Sequence, residues 1–129
     1  MRGDQKAQMD FLYNFSAEDL IPQAHPLRKI KTMADEVLDK LDGTLDKMYA
    51  DAGRPSIPPE FLLKASLLIA FYSIRSERQL CEQLSYNFLF RWFLDLMPND
   101  SVPNHSTFAK NRERLLNQEI ANSFLAEVV

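Results

Sequence analysis

The side chains best suited to chemistry in this chain lie close together between residues 106 and 114. If this segment is a helix, an advance of 100° per residue gathers Thr107, Lys110, Asn111 and Arg114 on one side. Arginine, lysine and asparagine bind base edges in the major groove of DNA, and threonine binds phosphate. The pattern therefore indicates a DNA-recognition helix, although an ordinary solvated helix face has the same composition.

Four further residues are predicted to assist this contact. Arg112 adds positive charge to the same helix, and Ser106 is expected to bind phosphate together with Thr107. Arg75 and Arg78, at the start of an earlier helix, are further candidates for phosphate contacts. The two segments 75–86 and 105–117 thus form a helix-turn-helix-like succession.

Local signals predict the helices that position these residues. Pro58-Pro59 fits only the start of a helix, and the apolar run that follows is interrupted by Lys64 and is shorter than the roughly 20 residues that span a bilayer. We therefore expect a central buried helix and no membrane segment. Ser76 and Gln79 fit a capping box that starts the next helix. Ser106 and Thr107, in the segment 105–107, offer hydroxyl groups that can cap the predicted recognition helix.

The segment from Tyr86 to Met97 is rich in phenylalanine and tryptophan. Arg91 and Asp95, its charged residues, are four apart and are predicted to pair across one helical turn. Aromatic side chains of this size bury about 150–250 Å² each, which favours packing in a core. A platform on which nucleic-acid bases stack is the alternative interpretation.

The N-terminal part divides into a leader and a long helix. Residues 1–24 are expected to be mobile or loosely packed, with one capped turn at 16–20, and residues 25–129 to form one domain. From Pro26 the apolar residues follow the i, i+3, i+4 spacing of an amphipathic helix. Asp35, Asp39, Asp42 and Asp46 run along it, and a solvated acidic face is favoured over a site for a divalent metal.

Composition narrows the class of protein. The 129 residues suit one domain, with 46% hydrophobic and 26% charged residues. Few glycines and no strand-like alternation predict an all-α fold, a compact multi-helix bundle. The single cysteine, Cys81, excludes an internal disulfide, suits the cytoplasm and is expected to be a small core side chain. The sequence has no nucleophile–base pair, no metal-ligand spacing and no glycine-rich phosphate loop. We therefore expect neither an enzyme nor a bound cofactor.

Charge is uneven along the chain. The net charge is −3, but residues 54–114 hold 8 Lys/Arg and 6 Asp/Glu, a local excess of +2. Any affinity for DNA is therefore expected to be modest and strongly dependent on salt. The segment 117–129 predicts a last helix that ends at the apolar Val128-Val129, which suggests that the natural chain continues.

Three ordered segments resemble a known family. GRPSIPPEFLLKASLL, YSIRSERQLCEQLSYNFLFRWFLDL and VPNHSTFAKNRERLL, preceded by HPLRKIKTMADEVL, are similar to the InsH-like N-terminal helical domain of bacterial insertion-sequence transposases. The resemblance covers about residues 25–125. In that family the helical domain precedes an RNase H-like domain, whose Asp-Asp-Glu carboxylates hold two Mg²⁺ ions for strand cleavage.

The resemblance implies a non-catalytic part of a transposase. It implies no catalytic residue and no Mg²⁺ in this chain, and Asp42-Gly43-Thr44, though similar to a catalytic motif, lies too early to be assigned that role. The implied partner is DNA at the terminal inverted repeats of a transposon, in the bacterial cytoplasm and nucleoid. The alternatives are a protein–protein module, for dimerisation or docking on the catalytic domain, and a truncated transposase that inhibits the full-length enzyme.

Overall fold

The computed structural model describes residues 17–52, 57–97, 99–117 and 119–128. Across these ranges the chain forms helices and no strand, which confirms the all-α prediction. The helices are α1 Ala17–Leu20, α2 Pro26–Ala52, α3 Pro59–Phe71, α4 Glu77–Leu84, α5 Phe88–Phe93, α6 His105–Leu116 and α7 Glu119–Val128.

Helix α3 is the central helix, as its apolar sequence predicts. It begins directly after Pro58, with Pro59 in its first turn, where the missing backbone donors have no helical partner to lose. Its residues 62–68 are all buried, and it contacts α2, α6 and α7. Because nearly the whole circumference of α3 is buried, it forms the centre of the core, and these three helices pack around it.

Helices α3 and α5 end with the same backbone device, a Schellman motif. The residue after each cap, Ser73 or Asp95, has a left-handed backbone, with φ of 51° and 58°. The next N–H then donates to a carbonyl five residues earlier. These bonds join Ile74 N to Ile69 O at 3.1 Å and Leu96 N to Arg91 O at 2.8 Å. Each turn thus reverses the chain tightly without a glycine.

A ring of four charged residues joins α2, α3 and the turn after α5. Lys64, only 4% exposed, donates to Asp35 at 2.9 Å and to Asp95 at 3.0 Å. Lys31 completes the ring with bonds of 3.0 Å to Asp35 and 2.9 Å to Asp95. Burial raises the pKa of Asp95, but the hydrogen bonds from both lysines outweigh it and hold that pKa below its ordinary value. The ring neutralises a lysine inside the core.

The predicted pair of Arg91 and Asp95 is wrong. Helix α5 ends at Phe93, so the two residues do not lie one turn apart on a helix. The buried guanidinium of Arg91 donates instead to the carbonyls of Leu84 at 2.7 Å, Met97 at 2.6 Å and Asp100 at 2.8 Å. Arg91 therefore ties the loop that leads to α6 onto the end of α4.

The first described residues pack on the body of the domain. Ile21 is buried, and the carboxylate of Glu18 accepts hydrogen bonds from Arg28 and from the indole of Trp92. Arg28 also donates to the carbonyls of Ile21 at 2.6 Å and Pro22 at 3.0 Å. The bonds from Arg28 and Trp92 lower the pKa of Glu18. Residues 17–24 thus belong to the packed domain, whereas the rest of the expected leader, 1–16, lies outside the described residues.

The aromatic segment packs mainly into the core. Phe90, Trp92 and Phe93 are buried, while Phe88 is exposed. The ring of Phe90 meets that of Tyr72 edge-on with centroids 5.0 Å apart. The core interpretation holds for these three side chains, and burial removes them from any base-stacking platform.

The prediction of a last helix within 117–129 is confirmed for the described residues. Helix α7 buries Ile120, Phe124 and Val128, which lie four residues apart on one face, and it packs against α2. Cys81 is a buried core side chain, and burial together with the nearby Glu77 raises the pKa of its thiol.

Candidate nucleic-acid interface

Helix α6 is held firmly on one side. It begins at His105, after Asn104, whose side-chain oxygen accepts from the N–H of Ser106 at 2.9 Å. The cap is therefore Asn104 rather than a hydroxyl group from 105–107. Phe108 and Leu115 are buried on its inner side, where α6 packs against α3, α4 and α7. This packing fixes which side of α6 faces solvent.

The opposite side of α6 is a continuous polar surface. Its exposed residues and the C-cap that follows the helix, which together we call the α6 outer face, are Ser106, Thr107, Lys110, Glu113, Arg114 and Asn117. The last four line one shallow surface depression. The two cations with the greatest expected role in DNA contact, Lys110 and Arg114, thus lie on the solvent side of a well-packed helix.

Asn111 lies at the edge of this surface. Its side chain is half-buried and donates to the carbonyl of Thr107, one turn earlier, at 2.7 Å. The amide is therefore already bonded within the helix. A base contact by Asn111 requires that this bond be exchanged.

Arg112 lies on the inner side of α6, away from the outer face. It follows Phe108 by four residues, which places it within about 40° of that buried ring around the helix axis. Its guanidinium donates to the hydroxyl of Ser66 at 3.0 Å and to the carboxylate of Glu77 at 2.9 Å. Arg112 joins α6 to α3 and α4, so we assign it a structural role instead of the predicted support for DNA contact.

Arg75 and Arg78 are exposed around the start of α4. The predicted Ser76 cap is present, since its hydroxyl accepts from Gln79 N–H at 3.1 Å. The Gln79 side chain reaches back as predicted but accepts from the N–H of Arg75, one residue before the cap, at 3.0 Å. The guanidinium of Arg78 lies 3.1 Å from the imidazole of His105. Arg78 is therefore brought to the first residue of α6, and the start of α4 adjoins the candidate surface.

Some of the cations bind partners inside the domain, so fewer of them are exposed at the surface. Among the cations in the described part of 54–114, Lys64, Arg91 and Arg112 bind partners inside the domain. The others, Arg75, Arg78, Lys110 and Arg114, are exposed on α6 or around the start of α4. The positive excess in the sequence is thus concentrated on a small part of the surface.

The acidic residues of α2 divide into two groups. Asp39, Asp42 and Asp46 are exposed, as the solvated-face interpretation requires, whereas Asp35 is half-buried and binds Lys31 and Lys64.

In the ranges that the structure describes, no three His, Cys, Asp or Glu side chains are grouped so that they could hold a metal ion. No helix in those ranges is long and apolar enough to cross a membrane.

Sequence reasoning missed two residues of the outer face, Glu113 and Asn117. Both follow Lys110 at helical spacing, by three and seven residues, so the periodicity that selected Lys110 and Arg114 also contained them. Glu113 is a negatively charged acceptor and Asn117 follows the last residue of α6, so a pattern of cations and hydrogen-bond donors within the helix does not include them.

Comparison with known proteins identifies one family. A family model described as Transposase domain (DUF772) matches residues 15–114, which include α1 to α5 and most of α6. No curated protein and no solved structure matches the chain.

Proposed function

Because the chain belongs to the Transposase domain (DUF772) family, we propose that it binds DNA, as the helical N-terminal domain of an insertion-sequence transposase that recognises transposon ends. In this proposal α6 enters the major groove with its outer face towards the bases. Arg75 and Arg78, around the start of α4, contact phosphates beside it, because α4 packs against α6 although α5 lies between them in the sequence.

The observation that carries this proposal is the exposure of Lys110 and Arg114 on a helix whose other side packs against the domain through Phe108 and Leu115. A recognition helix must be rigid in the domain and polar towards the groove, so that its side chains meet base edges without rearrangement of the fold. The buried Phe108 and Leu115 supply the rigidity. Neither cation forms an ion pair with another described residue, so both charges are available to phosphates or bases.

The first prediction concerns the double variant Lys110→Ala with Arg114→Ala. We expect it to lose affinity for the transposon-end duplex. The slope of log affinity against log salt should fall by about 0.9 for each phosphate that the variant no longer neutralises. Fluorescence anisotropy with a labelled duplex at several salt concentrations measures both quantities.

The matched control removes two exposed lysines from α2, as Lys40→Ala with Lys47→Ala. It changes the net charge equally, so it reports the effect of overall charge alone. Equal affinities for the α6 double variant and the unchanged protein would rule out α6 as the DNA-binding helix.

We further propose that this domain does not cut DNA by itself. Two-metal cleavage needs a set of carboxylates that holds the ions, and the charged residues of the proposed interface are mainly cations. Incubation of supercoiled DNA with the purified chain and Mg²⁺ should leave it intact, and cleavage that copurifies with the protein would contradict this.

A protein–protein module is the second candidate function. It is favoured by Tyr86 and Met97, large apolar side chains that are 64% and 62% exposed. Dimerisation, or docking on a catalytic domain, would cover such residues. Sedimentation over a range of concentrations distinguishes the two: a concentration-independent monomer that binds DNA contradicts the dimerisation form. Unchanged transposition on co-expression with a full-length transposase contradicts an inhibitory role.

A further inference from the structure

The α6 outer face carries a carboxylate that a surface for phosphates alone does not need. Glu113 lies between Lys110 and Arg114 along the helix, and all three line the same depression with Asn117. Glu113 is exposed and forms no ion pair with any other residue that the structure describes. Its charge is therefore open to whatever binds at this surface.

A carboxylate on a DNA-facing helix weakens binding wherever it faces phosphates, because the like charges repel. It becomes favourable where it accepts a hydrogen bond from the amino group of cytosine, which is the base contact that glutamate and aspartate make in the major groove. The neighbours of Glu113 suit other bases: arginine and lysine bind guanine, and asparagine binds adenine. The depression therefore combines side chains for three different base edges.

The spacing of these residues suits the stacking of base pairs. Lys110, Glu113, Arg114 and Asn117 occupy positions i, i+3, i+4 and i+7, so they form a single stripe along the helix. At 1.5 Å per residue the stripe is about 10.5 Å long. Base pairs are about 3.4 Å apart along the duplex, so the length of the stripe equals roughly three base-pair steps, the most that it can span.

We propose that Glu113 is a specificity-determining residue, which selects a C·G base pair by accepting a hydrogen bond from the N4 amino group of cytosine. This inference rests on the proposed function, since it requires that α6 bind in the major groove. It goes further in assigning sequence discrimination to an acidic residue that lowers general affinity. Lys110 and Arg114 then supply most of the attraction, and Glu113 supplies the choice of sequence.

The test compares the whole chain with its Glu113→Ala variant. Duplexes are first selected by the unchanged protein from a randomised library, and the most enriched duplex is remade with each base pair replaced in turn. We expect one C·G replacement to weaken binding of the unchanged protein by about 5- to 150-fold. Glu113→Ala should lose most of that discrimination while it binds unrelated duplexes at least as tightly. Glu36→Ala, at an exposed position on α2, is the control and should keep the discrimination.

The outcomes separate the two proposals. If the unchanged protein selects and binds no duplex, the proposed function fails and this inference fails with it. If Glu113→Ala strengthens binding to every duplex by the same factor and keeps the preference for C·G, DNA binding stands and the role of Glu113 is overturned. Loss of the preference in Glu36→Ala as well would also overturn it.

Discussion

Lys64 shows how a single residue can shape the interior of this domain. A lone ammonium group in a core is strongly unfavourable, and the cost falls only when the charge is paired and hydrogen-bonded. Asp35 and Asp95 supply that pairing, and Lys31 balances the second negative charge. The four charges sum to zero, so the ring locates α2 and the turn after α5 relative to α3 without leaving a net charge inside.

The ring makes a prediction about acid stability through Asp95→Asn. Asparagine tolerates the left-handed backbone at this position, so the change removes the charge and preserves the turn. We expect a loss of about 1–2 kcal/mol in the free energy of unfolding at neutral pH, reduced from the value of a fully buried pair because Asp95 is partly exposed. Urea denaturation measures this loss.

The pH dependence follows from the lowered pKa of Asp95. A carboxyl group whose pKa is lower in the folded than in the unfolded state stabilises the fold above its unfolded pKa, and this contribution is lost as pH falls through the folded pKa. The difference between the unchanged protein and Asp95→Asn should therefore be constant near neutrality and narrow below about pH 4. The exposed Asp39→Asn is the control, and an equal loss in that variant would argue against a special role for the ring.

At the scale of the helix, the two Schellman turns share a backbone shape and differ in what the left-handed residue does. Ser73 is exposed after α3, and no hydrogen bond of its side chain to another described residue accounts for a serine at this position. Asp95 occupies the same position after α5 and binds two lysines. A glycine fits either backbone without strain.

We therefore predict opposite effects for the same kind of substitution at these positions. Ser73→Gly should raise the free energy of unfolding by about 0.5–1 kcal/mol, because the strain of a left-handed serine exceeds the added flexibility of the unfolded chain. Asp95→Gly should lower it, because the loss of two charged hydrogen bonds outweighs the relief of backbone strain. Thermal unfolding of the two variants compares them directly, and a change of the same sign in both would contradict this account.

For the whole molecule, the cations between residues 54 and 114 divide into those that bind groups inside the domain and those that are exposed and available to a partner. Lys64, Arg91 and Arg112 hold helices and loops together, while Arg75, Arg78, Lys110 and Arg114 are exposed on α6 and around the start of α4. A chain with a net charge of −3 thus has four exposed cations on and beside α6, which supports the proposed contact with DNA. The same division separates variants that harm the fold from variants that harm binding.

Arg112→Met tests that division against Lys110→Ala. Methionine retains apolar bulk but loses the bonds to Ser66 and Glu77, so we expect unfolding to become easier by about 1–3 kcal/mol. The affinity of the folded variant for DNA should change little. Lys110→Ala should do the reverse, with stability within about 0.5 kcal/mol of the original. Urea denaturation measures the stability of both variants, and fluorescence anisotropy at a temperature where both are folded measures their affinity for DNA. If Arg112→Met has normal stability but no longer binds DNA, Arg112 contacts DNA directly and the structural role is wrong.

Local signals in the sequence determined where the helices begin and which side of each is apolar. The starts at Pro26 and Pro59, the capping box at Ser76 and the inner side of α6 depend on hydrogen bonds and spacings within a few residues. For the same reason the exposure of Lys110 and Arg114 could be predicted from periodicity alone.

Only the tertiary structure decided the partners of the long charged side chains. Lys64 binds residues 29 positions before it and 31 positions after it, and Arg112 binds a serine 46 positions away. Such bonds depend on how helices cross, and a flexible lysine or arginine reaches several possible partners from one backbone position. The sequence alone therefore grouped Arg112 with the residues proposed to bind DNA, whereas the packing of α6 against α3 and α4 turns it inward.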